Sequence, residues 1–242
     1  MAADDAHNPY LVNSLVTAVL SSYDNPHKLP TRYRWLFRNG YLTESEIVQL
    51  QADDEALYSI TPANDANTMS MLCASLPGMQ DLGRKPVITD GCACVGGNVL
   101  SFALSGLFAE VNAVEFDVSR ARMLEHNVAV IRARAKIPVN ILTGSYTELM
   151  HTLSQDIVFL DPPWGGPDYK QQKSVNLFLG EKHLADVVYD LHSDSQTKYV
   201  VWKAPTNFAF DEMSERIKTF GLEAKVLRPF KKYILYYVQL RQ

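Results

Sequence analysis

Asp161-Pro162-Pro163-Trp164 follows directly on the apolar run Ile157-Val158-Phe159-Leu160. The run reads as a buried strand, and two prolines stiffen the turn that leaves it. A carboxylate on so rigid a turn costs free energy unless it meets a partner, and the neighbouring sequence supplies none. The turn therefore reads as a place where something binds. It offers an acceptor on Asp161, the carbonyl of Pro162 and a flat indole face on Trp164, held without an ordering cost each time a ligand arrives.

Two further strand ends carry suitable groups. In "PVITDGCACVGGN" a short apolar run ends in Asp90, small residues and Gly96-Gly97, and Asn98 opens a helical pattern. Glycines let the backbone approach a ligand, and a helix N-terminus presents unpaired N–H groups. Glu115 closes the next apolar run, with Phe116 and Asp117 behind it. An acid about 20 positions past a glycine turn is placed to hold two ribose hydroxyls. The turn lacks the G-x-G-x-x-G of a dinucleotide site, which disfavours a dehydrogenase. S-adenosylmethionine, with one ribose and one base, fits the looser turn.

Such groups need a sheet whose strands all end on one side. From about residue 86 strand and helix patterns alternate: "PVITDGCA", "NVLSFALSGLF", "EVNAVEFD", "VSRARMLEHNVAVIRARA", "VNILTG", "YTELMHTL", "DIVFLD", "LADVVYDLHSD", "KYVVWKAP" and "FDEMSERIKTFG". Strict alternation implies an α/β fold, a doubly wound and mostly parallel sheet with right-handed crossovers. "LEAKVLRPF" and "KYILYYVQLRQ" look like an antiparallel pair closing it, with Tyr236 or Tyr237 packed. Residues 1–80 read as a helical N-terminal extension, with Leu11, Leu15, Val16, Val19 and Leu20 at helix spacing and Thr43 and Glu46 as a capping box. Residues 81–242 form the α/β domain, expected to fold without the extension. The segment 170–176 carries no motif.

Composition bounds the function. The chain has 242 residues, 47% apolar and 21% charged, with a net charge of −4. That suits one substantial core and argues against coating nucleic acid through bulk charge, while leaving room for a local basic pocket. Cys73, Cys92 and Cys94 are odd in number, and no second pair completes a zinc set, so free thiols and no metal are expected. The N-terminus is polar and acidic and no apolar run is long enough to cross a membrane. A soluble, intracellular, monomeric protein is expected. His126, His183 and His192 read as solvated helix or surface residues.

Asp-Pro-Pro-Trp resembles the motif of amine-directed methyltransferases, in which Asp, Asn or Ser precedes Pro-Pro and an aromatic residue. The longer stretch "DPPWGGPDY" resembles the signature of the trimethylguanosine synthase family, Ser/Asp-Pro-Pro-Trp-Gly-Gly-Pro-Asp/Glu-Tyr. "DGCACVGGNVLSFAL" and "NAVEFDVSRARMLEHN" are similar to that family's first two motifs, and "RYRWLF" and "ALYSITP" to segments of its N-terminal extension. The resemblance spans roughly residues 28–240 in ordered blocks. It departs at Cys94 (glycine in the family), Ala93 (cysteine), Ser145 (usually aspartate) and Asp161 (more often serine).

The resemblance implies a seven-stranded class I methyltransferase sheet. It also implies transfer of methyl groups from S-adenosylmethionine to the exocyclic N2 of 7-methylguanosine in an RNA 5′ cap, giving di- or trimethylguanosine. An exocyclic amine is a poor nucleophile. Asp161 and the Pro162 carbonyl would accept its N–H bonds and turn its lone pair to the methyl, while Trp164 stacks on the base. Thr61, Asp90, Cys94, Asn98, Glu115, Ser145 and Asp161 would hold the cofactor. Ser59 and Thr61 would close the cleft from the extension, and Tyr169, Lys28, Lys203, Lys231 and Lys232 would approach the cap phosphates. Two other readings are an adenine-N6 methyltransferase, which would share DPPW but not GGPDY, and a non-catalytic cap-binding subunit.

Overall fold

Apolar periodicity and turn chemistry set the element order in the computed structural model, which describes residues 27–241 except 39 and 195. The helix expected over residues 11–20 lies outside the described residues. The strands are β1 (Val87–Asp90), β2 (Glu110–Glu115), β3 (Val139–Thr143), β4 (Ile157–Leu160), a small hairpin β5 (Phe178–Leu179) and β6 (Lys182–His183), then β7 (Tyr199–Pro205), β8 (Ala224–Pro229) and β9 (Tyr233–Gln239). The helices are α1 (Glu44–Ile47), α2 (Ala56–Ser59), α3 (Ala63–Ala74), α4 (Gly97–Leu104), α5 (Val118–Ile131), α6 (Tyr146–Leu149), α7 (Leu184–Asp194) and α8 (Phe210–Lys218).

The sheet has seven strands in the order β3-β2-β1-β4-β7-β9-β8, and β9 alone runs against its neighbours. Its interior strands bury both faces, as their near-continuous apolar runs require. Along β4, Ile157 and Phe159 enter one apolar cluster while Val158 and Leu160 enter the other. The same alternation sends Tyr199 and Val201 of β7 to one side and Val200, Trp202 and Ala204 to the other. Tyr236 stacks between Trp202 and Phe210, with interplanar angles of 18° and 17°. Val175 and Leu177, in and beside the segment without a motif, are buried in this second cluster, and Val175 bridges to Phe208. The chain turns back between β1 and β4, so the sheet's switch point lies between Asp90 and Asp161.

The extension is stapled to this sheet. Thr43 and Glu46 form the expected capping box, and Glu46 also takes Arg134 from beyond α5 at 2.6 Å. Fully buried Asn127 of α5 accepts from the Gln51 N–H at 2.8 Å and donates to the Gln51 and Val95 carbonyls at 2.9 and 2.8 Å. Leu29, Leu36, Phe37, Ile47, Leu50, Met69 and Cys73 lie in the same apolar cluster as Ile88, Val111 and Phe159 of the sheet. The boundary near residue 80 thus separates two textures of sequence but not two cores.

This shared core argues against the α/β part folding alone. Each large apolar side chain buried there contributes about 1.5–3 kcal/mol, and several together rival the roughly 5–15 kcal/mol that holds a domain folded. A chain beginning at residue 81 is expected to lose cooperative thermal unfolding and to bind the dye ANS. A truncated chain melting within a few degrees of the full chain would show that the extension is peripheral.

Candidate active site

Three carboxylates meet at the carboxyl edge of the sheet because three parallel strands end there. Asp90 closes β1, Glu115 closes β2 and Asp161 follows β4; Asp90 and Glu115 are buried. The Glu115 carboxylate accepts from the Cys94 N–H at 2.7 Å and from the Asp117 N–H at 2.9 Å, one bond to each oxygen. Each oxygen keeps further acceptor capacity. Asp90 accepts from the Cys92 N–H at 3.1 Å. Burial first, and then the charges of Asp161 and Glu115, push Asp90 up to about 7, against the pull of its bond from Cys92. Burial likewise raises Asp161, opposed by Lys203.

The turn from β1 into α4 is shaped by backbone that side chains rarely adopt. Gly96 has φ of +100°, and Gly97 lies so close to the extension that an added Cβ would meet the Thr61 nitrogen at 3.4 Å. Cys94 occupies the left-handed region at φ of +49°, and it is the one described residue other than glycine to do so. Its N–H is the one that caps Glu115, so the strained conformation aims a donor at the acid.

Beside this turn stands a cluster that the sequence did not reveal. Lys203 of β7, expected with the surface lysines near the phosphates, is buried instead. Its ammonium is ion-paired with Asp161 and donates to the Thr61 hydroxyl at 2.9 Å. It also lies 5.4 Å from the centre of the Trp164 ring and 5.0 Å from that of Tyr233. Tyr233 donates to Asp65 of α3, which joins the far end of the sheet to the extension. Trp164 stands edge to face against Tyr169 at 5.2 Å and tilted to Tyr233 at 6.3 Å. Neither Tyr233 nor Asp65 lies in a motif; only strand order brings them to Trp164.

The other candidate residues fall into two groups. Pro162 is buried inside the DPPW turn, and Ser145, after β3, neighbours Gly144, whose N–H donates to the Glu115 carbonyl at 2.9 Å. Asn98 follows Gly97, but its amide points to the Met69 sulfur at 3.4 Å. Ser59 is exposed at the end of α2, two residues from buried Thr61. Lys231 and Lys232 are exposed in the β8–β9 turn, and exposed Lys28 lies in a bridge to Gln51. Exposed Phe116, beside Glu115, is a further aromatic group at this edge. His126 bonds the Gln49 carbonyl at 2.9 Å, while His183 is buried rather than solvated.

The donor set fits S-adenosylmethionine. A sulfonium and an ammonium suit a site where Asp90, Glu115 and Asp161 outnumber Lys203, the one buried cation among the described residues. The spare acceptor capacity of Glu115 suits a ribose diol, and the glycine turn admits close approach. Among the described residues no group of His, Cys, Asp or Glu could hold a metal ion, and no helix is long and apolar enough to cross a membrane.

Comparison with known proteins gives the family and the fold. A family model described as RNA cap guanine-N2 methyltransferase matches residues 85–239. The chain is 30% identical over 217 residues to an uncharacterised protein of Acanthamoeba polyphaga mimivirus, covering 79% of this chain and 83% of that one. It is 25% identical to the trimethylguanosine synthases of Schizosaccharomyces pombe and Saccharomyces cerevisiae, covering 67% and 85% of this chain. It spans 65% and 62% of the lengths of those two enzymes. Among solved structures it resembles a 16S rRNA N2 methyltransferase of T. thermophilus in complex with AdoMet and guanosine. The TM-score is 0.51 at 15% identity, over 79% of this chain and 44% of that one. A SAM-dependent methyltransferase of Agrobacterium tumefaciens gives 0.52 at 13% identity, over 76% and 64%. These likenesses show the class I methyltransferase fold.

The left-handed Cys94 yields a test of strain. A non-glycine residue in that region costs about 1–2 kcal/mol, partly offset because glycine loses more freedom on folding. Cys94→Gly is expected to raise stability by up to about 1 kcal/mol in chemical denaturation. A destabilised variant would mean that the side chain contributes packing that outweighs the strain.

Proposed function

Because the chain belongs to the RNA cap guanine-N2 methyltransferase family, we propose that it methylates the exocyclic N2 of 7-methylguanosine in RNA 5′ caps, yielding di- or trimethylguanosine. It is an S-adenosylmethionine-dependent methyltransferase. The observation that carries the finer reading is the Asp161–Trp164 turn at the switch point, with a partly buried indole among Tyr169, Tyr233 and Lys203. The cofactor supplies a methyl group bound to a sulfonium, open to attack by a nitrogen lone pair.

The chain's own residues then have distinct tasks. Asp90, Cys94, Asn98, Glu115, Ser145 and Thr61 line the cofactor side, with Glu115 accepting from ribose. Asp161 and the Pro162 carbonyl accept from the two amine hydrogens and hold the nitrogen lone pair towards the methyl; the proton released after transfer leaves through Asp161 or to solvent. Trp164 fixes the plane of the base. Ser59 and Thr61 close the cleft from the extension, and Tyr169, Lys28, Lys231 and Lys232 serve the cap phosphates. The free Cys73, Cys92 and Cys94 accord with action in a reducing compartment.

N7 methylation gives guanine a delocalised positive charge, and a cation over an indole gains roughly 0.5–2 kcal/mol over a neutral ring. That is a preference of up to about 30-fold. Titration is expected to show m7GTP bound in preference to GTP and accepted as methyl acceptor. Trp164→Ala is expected to abolish transfer, and Trp164→Phe to keep part of it. Equal affinity for both nucleotides in the wild type would remove the cap reading. Transfer to adenine oligonucleotides instead would favour the adenine-N6 alternative.

Asp90 gives a second test. Its raised value means that the folded protein holds a proton, between the ordinary carboxylate range and about 7, which the unfolded chain has released. Its contribution to stability is therefore present at acidic pH and lost as pH rises towards 7. A cationic cofactor favours the carboxylate and expels that proton. Calorimetry near pH 7 in two buffers of different ionisation enthalpy is expected to show proton release on binding S-adenosylmethionine, with affinity rising from about pH 6 to 8. Identical heats in both buffers would place the cofactor away from Asp90.

A further inference from the structure

Lys203 stands out in β7, whose other residues from Tyr199 to Pro205 are apolar and buried. A fully buried lysine is rare, and an apolar residue at such a place is often the more stable choice. The strand register explains what the lysine meets. Leu160 pairs with Trp202, so the next residue on each strand sets Asp161 beside Lys203. Only 5% of the Lys203 side chain and 15% of that of Asp161 are exposed. One ammonium therefore touches the carboxylate of the DPPW turn, the Thr61 hydroxyl of the extension, and the faces of Trp164 and Tyr233.

We propose that Lys203 is the positioning residue of methyl transfer, holding Oδ2 of Asp161 so that Oδ1 is left to accept from the amine. The inference rests on the reading of Asp161 as the acceptor for the substrate amine. Without Lys203 the carboxylate would be buried beside Asp90, Cys92 and the Tyr233 hydroxyl, with Glu115 behind Asp90 and Asp65 behind Tyr233, and among the described residues no other cation would face it. Burial already raises Asp161, and both the charge and the hydrogen bond of Lys203 oppose that rise. Loss of the lysine removes both opposing influences, so protonation of Asp161, which puts an O–H donor where the amine needs an acceptor, moves to higher pH.

The test uses the full chain and compares wild type, Lys203→Met, Asp161→Ser and the double variant Asp161→Ser/Lys203→Met. With m7GTP as acceptor, Lys203→Met is expected to lower kcat at neutral pH by about 10- to 100-fold, the scale on which partners of a working ligand act. Activity should recover as pH rises, because the acidic limb of the profile moves upward. KM for m7GTP and the calorimetric affinity for S-adenosylmethionine should change by less than about threefold. Independently of any acceptor, the Asp161 carboxyl, followed by carbon-13 NMR and assigned with Asp161→Ser, should titrate at higher pH in Lys203→Met. The double variant leaves no lone buried charge and keeps the test usable if Lys203→Met fails to fold. Its kcat should stay within about threefold of Asp161→Ser, since a residue acting through Asp161 has nothing left to position. An acidic limb and an Asp161 titration unmoved in Lys203→Met, or a double variant about tenfold below Asp161→Ser, would overturn the proposal. A wild type that ignores m7GTP but methylates another amine would instead remove the cap reading, and the same variants would be scored on that acceptor and by NMR.

Discussion

Charge imbalance at the carboxyl edge of the sheet constrains the rest of the structure. Asp90, Glu115 and Asp161 converge there because their strands are parallel and neighbouring, and Lys203 is the one buried cation among the described residues. Carboxylates brought together in a desolvated place must be bonded, protonated or matched by cations. Each finds a different answer. Glu115 takes two backbone N–H groups, Asp90 rises towards neutrality, and Asp161 takes the ammonium. What remains is an acidic site suited to a cationic cofactor, and a single carboxylate tied by a lysine next to an indole.

That arrangement needs the extension as much as the sheet. Thr61 completes the ammonium's partners, Asp65 fixes Tyr233, and Gly97 leaves room for the Thr61 backbone to come close. Because Leu29, Phe37, Ile47, Leu50 and Met69 share a core with Ile88 and Phe159, the segment that carries Thr61 is held by the same burial that holds the sheet. Asn127 adds three bonds from α5 to Gln51 and Val95, a polar staple inside an otherwise apolar layer. The interactions that hold the fold are here also those that preorganise the cluster around Lys203.

The amino-acid sequence by itself determined the fold class, the seven strands of the main sheet and the identity of the strand ends. Apolar runs ending in Asp90, Glu115 and Asp161, broken only by Thr89 and Asn112, dictate buried parallel strands, because burial on both faces removes any alternation. The capping box at Thr43 and Glu46 was legible because it is a contact between residues three apart, and the signature after Asp161 because it is contiguous. Tertiary structure alone decided where Lys203 goes. Val-Val-Trp-Lys-Ala-Pro reads equally well with its lysine at the surface, and the register that sets Leu160 against Trp202 is not written in either strand. The same holds for Tyr233 and Asp65, and for the merging of the extension with the sheet's core. Contacts between residues 40 to 170 positions apart depend on which strand neighbours which, and that follows from the closing of the whole core rather than from any local pattern of residues.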